Sequence, residues 1–228
     1  QLGGDIGVDL RRGCGHGTVG WMLKIRGWYA LPTLTDLARR RKPRPGGLPR
    51  LWLMTDERRL PDPAAAIRAL PRGAGVIFRH YGDPDRASRA RQLARLCRSH
   101  GLLLLVAGDA GLAAAVGAAG LHLPEVMAWK IAGWRRRRPR WLITAAAHGA
   151  PALRRTAASD AILLSPLFAT ESHAGDRPLG IARFAALARR SPVPVYALGG
   201  ITAASLPRLN GLSLAGVAAI GALAKQKT

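Results

Sequence analysis

Long apolar runs are missing from this chain. The longest, Leu102–Val106, has the length of a buried strand, and nothing reaches the length of a membrane-spanning helix. Cysteine is nearly missing too. Cys14 and Cys97 are the two present, without CxxC spacing, so free thiols in a reducing, cytoplasmic compartment are expected. Cys97 follows Leu93 and Leu96 in a helical pattern and reads as a core residue. The first residues lack a charged region followed by an apolar stretch and a cleavage site, so no signal peptide is expected. Acidic side chains are few: 13 Asp and Glu against 35 Lys and Arg, a net charge of +22. Such a charge suits nucleic acid or an anionic membrane. The reading favoured here is plainer: an Arg- and Ala-rich chain whose charge is spread over solvated helix faces. The clusters Arg39–Lys42 and Arg135–Arg138 then give weak, salt-sensitive binding to polyanions. No RNA-binding aromatic motif and no zinc spacing accompanies them, so neither specific nucleic-acid binding nor a membrane partner is expected.

What the chain does contain is a core. At 228 residues and 48% hydrophobic, it suits one domain with substantial buried volume. Residues 1–47 stand apart. They are rich in Gly and Arg, carry Trp21, Trp28 and Tyr29, and end in the linker-like Lys42-Pro43-Arg44-Pro45-Gly46-Gly47. They are expected to form a poorly structured basic extension, with one short helix over Leu34–Arg41, ahead of a domain over 48–228. From Leu51 on, short apolar segments alternate with helical patterns. The expected strands are Leu51–Thr55, Gly75–Arg79, Leu102–Ala107, Gly120–Leu123, Trp141–Ala145, Ala161–Ser165, Val193–Leu198 and Gly216–Ile220. The expected helices are Pro63–Leu70, Arg86–Ser99, Ala110–Val116, Pro151–Ala158, Ile181–Arg189 and Ala203–Leu209, with an irregular helix in Val126–Arg138. Strands separated by helices imply a parallel sheet, and eight of them suit a closed (β/α)8 barrel. The last helix is expected to be truncated, with few residues following the eighth strand.

In a barrel of this kind the active site lies at the C-terminal strand ends. Those positions are small or polar here: Thr55-Asp56, Arg79-His80-Tyr81, Gly108-Asp109, His122, Ala146 to His148, Ser165 through His173, Gly199-Gly200 and Gly221. Two apolar strands run directly into glycine near the C-terminus, Val193–Leu198 into Gly199-Gly200 and Gly216–Ile220 into Gly221. Glycine there lets backbone N–H groups approach an anion, and the loops after strands seven and eight are the usual phosphate site of the architecture.

These segments, in this order, resemble the thiamine phosphate synthase and thiazole tautomerase (TenI-like) superfamily. The resemblance rests on Leu51-Trp-Leu-Met-Thr-Asp56, Gly75-Val-Ile-Phe-Arg-His80, Leu96-Cys-Arg through Gly108-Asp109, Gly117-Ala-Ala-Gly-Leu-His-Leu123, Ser165-Pro-Leu-Phe-Ala-Thr170, Leu179-Gly180, Ala197-Leu-Gly-Gly-Ile201 and Gly216-Val-Ala-Ala-Ile220. It covers about residues 50–224. It implies an enzyme of thiamine biosynthesis that couples hydroxymethylpyrimidine diphosphate to thiazole phosphate and releases pyrophosphate, with Mg²⁺ on the diphosphate. The implied partners are the phosphorylated pyrimidine and thiazole; a homo-oligomer is left open.

Carried over residue by residue, the resemblance gives Gly199, Gly200, Gly221, Thr170 and Ser172 to the thiazole phosphate. Arg79 is retained from the second-strand pattern, while Ile77 and Tyr81 stand where the family has Gln and a pyrophosphate-gripping Lys. Asp109 matches one metal carboxylate. Met127 stands at the other, with Glu125 as the nearest substitute ligand. Ala146 replaces a Ser, and His173 replaces the Lys of the sixth loop. His148 stands where the tautomerase branch has a catalytic histidine. With Arg79 and His173 it makes up the catalytic set. Two alternatives follow: a tautomerase-like proton transfer on a thiazole carboxylate phosphate, which needs neither metal nor diphosphate, and a non-catalytic binder of thiazole or thiamine phosphate.

Overall fold

A computed structural model describes residue 34 and residues 47–170 and 177–220. Eight strands close into a wholly parallel barrel in sequence order: β1 (Leu51–Met54), β2 (Gly75–Phe78), β3 (Leu103–Ala107), β4 (Gly120–Leu123), β5 (Leu142–Ala147), β6 (Ala161–Leu164), β7 (Val195–Ala197) and β8 (Gly216–Ala219). β1 pairs with both β2 and β8, which completes the ring. The connecting helices are α1 (Ala64–Arg68), α2 (Arg86–Ser99), α3 (Ala110–Ala115), α4 (Ile131–Arg137), α5 (Ala150–Arg155) and α6 (Gly180–Arg190). Among the described residues two 3₁₀ segments join them, Glu125–Lys130 running into α4 and Ala203–Leu209 between β7 and β8. The (β/α)8 architecture and the positions of its elements therefore match the expectation, and the irregular helix over 126–138 is the 3₁₀ segment plus α4. The expected extension over 1–47, apart from Leu34 and Gly47, and the truncated last helix lie outside the described residues.

The strands are apolar on both faces because parallel strands under helices are covered on both sides. Alternation along each strand sorts the two faces. Leu51, Leu53, Val76, Phe78, Leu104, Val106, Leu121, Ile143, Ile162 and Leu164 pack outward under the helices. Trp52, Met54, Ile77, Leu105, Leu163 and Tyr196 fill the barrel interior. Helices supply the matching apolar stripes, as Ala90, Leu93, Ala94 and Cys97 do on α2. Burial pushes the Cys97 thiol up to about 12, so it is an inert core group.

One end of the barrel is plugged. Trp52 and Tyr196 meet edge to face with ring centroids 6.2 Å apart, and the Tyr196 hydroxyl donates to the Pro49 carbonyl. Small residues opposite make the room. A Cβ on Gly75 would stand 2.2 Å from the Trp52 ring, so this strand position admits glycine only. The C-terminal strand ends form the other end, the barrel mouth.

Candidate functional site

Alternation carries past the strand ends and selects what faces the mouth. On β2, Ile77 is inward, so Arg79 is inward too; His80 faces out and hydrogen-bonds the Thr55 hydroxyl through Nδ1 at 2.9 Å. Thr55 Oγ1 also accepts from the Arg79 N–H at 2.9 Å, which fixes the backbone from which the Arg79 side chain rises. On β4 and β5 the paired residues His122 and Thr144 both point inward, joined Nδ1 to Oγ1 at 2.9 Å. Burial, and then the charge of Arg79, push His122 down to about 3. His122 is therefore a neutral polar floor beneath the Arg79 cation.

The end of β7 is built around two glycines that no other residue replaces. Gly199 and Gly200 have φ +98° and +62°. A Cβ on Gly199 would lie 2.8 Å from Pro166 Cα, and one on Gly200 would lie 2.4 Å from the Ala169 carbonyl oxygen. The loop after β6 presses against them through bonds from Leu167 N–H to Leu198 O at 2.9 Å and from Phe168 N–H to Gly199 O at 3.1 Å. Among the described residues, no hydrogen bond uses the Gly199 or Gly200 N–H. Two adjacent donors at a positive-φ turn are the ordinary makings of an anion cradle.

The opposite side of the mouth differs from the expected metal centre. Asp109 caps α3, its Oδ1 accepting from Leu112 N–H at 2.9 Å, while Oδ2 pairs with Arg86 Nη1 at 3.1 Å. Arg86 Nη2 also donates to the Ala107 carbonyl at 2.8 Å. Its guanidinium lies 5.7 Å from the Phe78 ring centroid and 5.4 Å from that of Tyr81. Tyr81 and Met127 close over Gly108: a Cβ there would be 3.4 Å from Tyr81 Cε1 and 3.7 Å from Met127 Sδ. Burial raises the Tyr81 phenol above its usual value against the pull of Arg79 and Arg86, so it is neutral at pH 7.

Glu125 is occupied elsewhere. Its Oε2 takes His148 Nδ1 at 2.7 Å and the His148 N–H at 2.9 Å, and its Oε1 accepts from Arg155. Burial pushes this carboxyl up, but the bonds from His148 and Arg155 outweigh it and hold it below its usual value. The resemblance implies Mg²⁺ on Asp109 and Glu125, yet all four carboxylate oxygens already have partners. Among the described residues, no three His, Cys, Asp or Glu side chains converge to hold a metal. Mg²⁺ demands several hard oxygens in near-octahedral order, and this donor set does not fit it.

Of the expected residues, Arg79, Thr170, Gly199 and Gly200 thus lie at described strand ends or in the loops after them, and Glu125 and His148 meet as a pair. Ser172, His173 and Gly221 lie outside the described residues. Sequence reasoning missed Arg86 altogether. The one signal available was an Arg opening α2, in a helix that also carries Arg89, Arg91, Arg95 and Arg98.

The sequence profile of the family described as thiamine monophosphate synthase matches residues 52–223. A thiamine-phosphate synthase of Salinispora arenicola is 34% identical over 196 residues, covering 77% of this chain and 89% of that protein. One from a Synechococcus strain is 31% identical over 165 residues, covering 68% of this chain, which spans only 45% of that longer relative. The solved structure of a thiamine phosphate pyrophosphorylase from Pyrococcus furiosus superposes with a TM-score of 0.64 at 22% identity, over 79% of this chain and 89% of the other, a likeness of fold. With the profile running from inside β1 to beyond β8, the chain belongs to the thiamine monophosphate synthase family and is a synthase-like protein of thiamine biosynthesis.

Proposed function

We propose that this chain is a transferase that joins hydroxymethylpyrimidine diphosphate to thiazole phosphate. One observation carries the reading: the family match runs through all eight strands, so every strand end around the mouth belongs to the matched region. In the reaction, the thiazole nitrogen forms a C–N bond to the exocyclic methylene carbon of the pyrimidine. The C–O bond to the diphosphate breaks, and pyrophosphate leaves with the electron pair. The nitrogen ends as a cation, so no oxidant, reductant or net proton transfer is required.

Work falls to the chain's own groups as follows. The Gly199 and Gly200 N–H pair receives the thiazole phosphate, aided by Thr170, with Ser172 and Gly221 as further donors. Arg79, facing inward above a neutral His122, meets the negative charge that develops on the departing pyrophosphate, and His173 adds to it when protonated. Neutral His122 matters here because a second cation beneath Arg79 would repel it. Mg²⁺ is the ion that the resemblance implies, but the donors present do not fit it. The substrates are small phosphorylated molecules and the setting is cytoplasmic. Among the described residues no helix is long and apolar enough to cross a membrane.

The Glu125–His148 pair favours a second reading. A carboxylate on Nδ1 fixes the imidazole tautomer and orientation, which suits a proton transfer on a thiazole carboxylate phosphate. The two readings separate in one assay. Thiamine phosphate appearing from the two substrates supports the transferase. Isomerisation of the thiazole carboxylate phosphate without that product, abolished in His148→Ala, supports the proton transfer. Binding of thiazole phosphate without either product would leave a binder.

A further inference from the structure

We infer that the Arg86 guanidinium occupies, as a tethered cation, the place of a divalent ion beside Asp109, so that the mouth handles its phosphorylated substrate without a metal. The inference rests on the transferase reading for the identity of the substrate, but its structural basis is independent of it.

Three observations converge. First, Arg86 is held in place rather than solvated: Nη1 on Asp109 Oδ2, Nη2 on the Ala107 carbonyl, and the guanidinium beside the faces of Phe78 and Tyr81. Its Nε is buried without a partner, the cost of reaching this position from the first residue of α2. Second, the remaining Asp109 oxygen caps α3, so a metal at this carboxylate would compete with the cap at one oxygen and with the Arg86 ion pair at the other. Third, the neighbours that close the space over Gly108 are a thioether and a phenol ring. Neither is a hard anionic ligand. Mg²⁺ discriminates strongly in favour of such ligands.

The local charge makes the exchange consistent. A divalent ion between two carboxylates sums to zero, and so does Arg86 with Asp109 alone. Met127 at the second acidic position is therefore the change that a monovalent, covalently attached cation requires. An Asp there as well would leave the site net negative and repel a diphosphate. Arg79 then remains as the uncompensated cation that faces the anion.

The test uses the full chain in two independent arms. In the first, thiamine phosphate formation is measured in EDTA and in excess Mg²⁺. Equal rates are expected; product that appears only with Mg²⁺ overturns the inference while leaving the transferase reading intact. Arg86→Met should lower the rate in EDTA by about tenfold or more, with Arg86→Lys recovering part of it. An unchanged rate in Arg86→Met overturns the role of Arg86. In the second arm, Mn²⁺ alone is titrated into the wild-type chain and followed by its EPR signal. No saturable binding that depends on Asp109 is expected. Saturable binding that is lost in Asp109→Asn overturns the inference, whether or not any product is ever formed. Absence of product in both EDTA and Mg²⁺ counts against the transferase reading, and the Mn²⁺ arm then decides the metal question by itself.

Discussion

His122 shows how one side chain inside the barrel couples stability to acidity. Its ordinary value of 6.5 falls to about 3 in the fold, chiefly through burial and then through Arg79. Below the ordinary value the unfolded chain binds a proton that the folded chain refuses, so this group destabilises the fold progressively as pH drops from 6.5 towards 3. The limiting slope is about 1.4 kcal/mol per pH unit. Urea unfolding of wild type and His122→Gln at pH 7 and pH 5 should show the wild type losing about 2 kcal/mol more than the variant. Equal losses would mean that His122 accepts a proton in the barrel. At Gly200 the issue is backbone. With φ +62° and a carbonyl oxygen 2.4 Å from any added Cβ, Gly200→Ala should cost about 1–3 kcal/mol and weaken thiazole-phosphate binding in calorimetry, whereas Gly211→Ala, with open space around it, should cost less and leave binding alone.

Among the elements, α3 depends on Asp109 twice, as cap and as ion-pair partner of Arg86. Asn caps nearly as well as Asp, so Asp109→Asn should change the melting temperature little while Asp109→Ala costs about 1 kcal/mol. A large loss in Asp109→Asn would transfer the weight to the ion pair. The 3₁₀ segment after β7 opens with a reciprocal Thr202–Ser205 capping box, and Thr202→Ala should cost about 1 kcal/mol by thermal unfolding. Elements were also what the sequence made most legible. Each strand is an apolar run bounded by glycine or charge, and each helix carries its stripe at local spacing, so neighbouring residues suffice to place them. The site was only partly legible. Gly199-Gly200 could be read locally because a strand runs straight into the pair. Arg86 and Asp109 are 23 positions apart, and Glu125 and His148 likewise, so closure of the barrel, not spacing, decides that they pair. That is why Asp109 and Glu125 read as metal ligands in the sequence and as satisfied carboxylates in the fold.

For the molecule as a whole, the full chain carries a net charge of +22, and its described acidic groups are largely spent on local pairs, such as Arg59–Asp56, Arg135–Asp160 and Arg89–Asp83. Arg137 and Arg138 lie against Trp134 and Trp141, and still leave charge at the surface. Binding to heparin or bulk RNA should accordingly be indifferent to sequence and fall steeply between about 50 and 200 mM salt. Retention of a single RNA sequence at high salt would contradict the diffuse reading. The plug beneath the mouth has an optical consequence. Trp52 is fully enclosed, and its indole N–H has no partner among the described residues, whereas Trp129 is 76% exposed. Iodide should therefore quench the red side of the fluorescence spectrum and leave a blue component from Trp52, whose disappearance would time the opening of the barrel from its closed end.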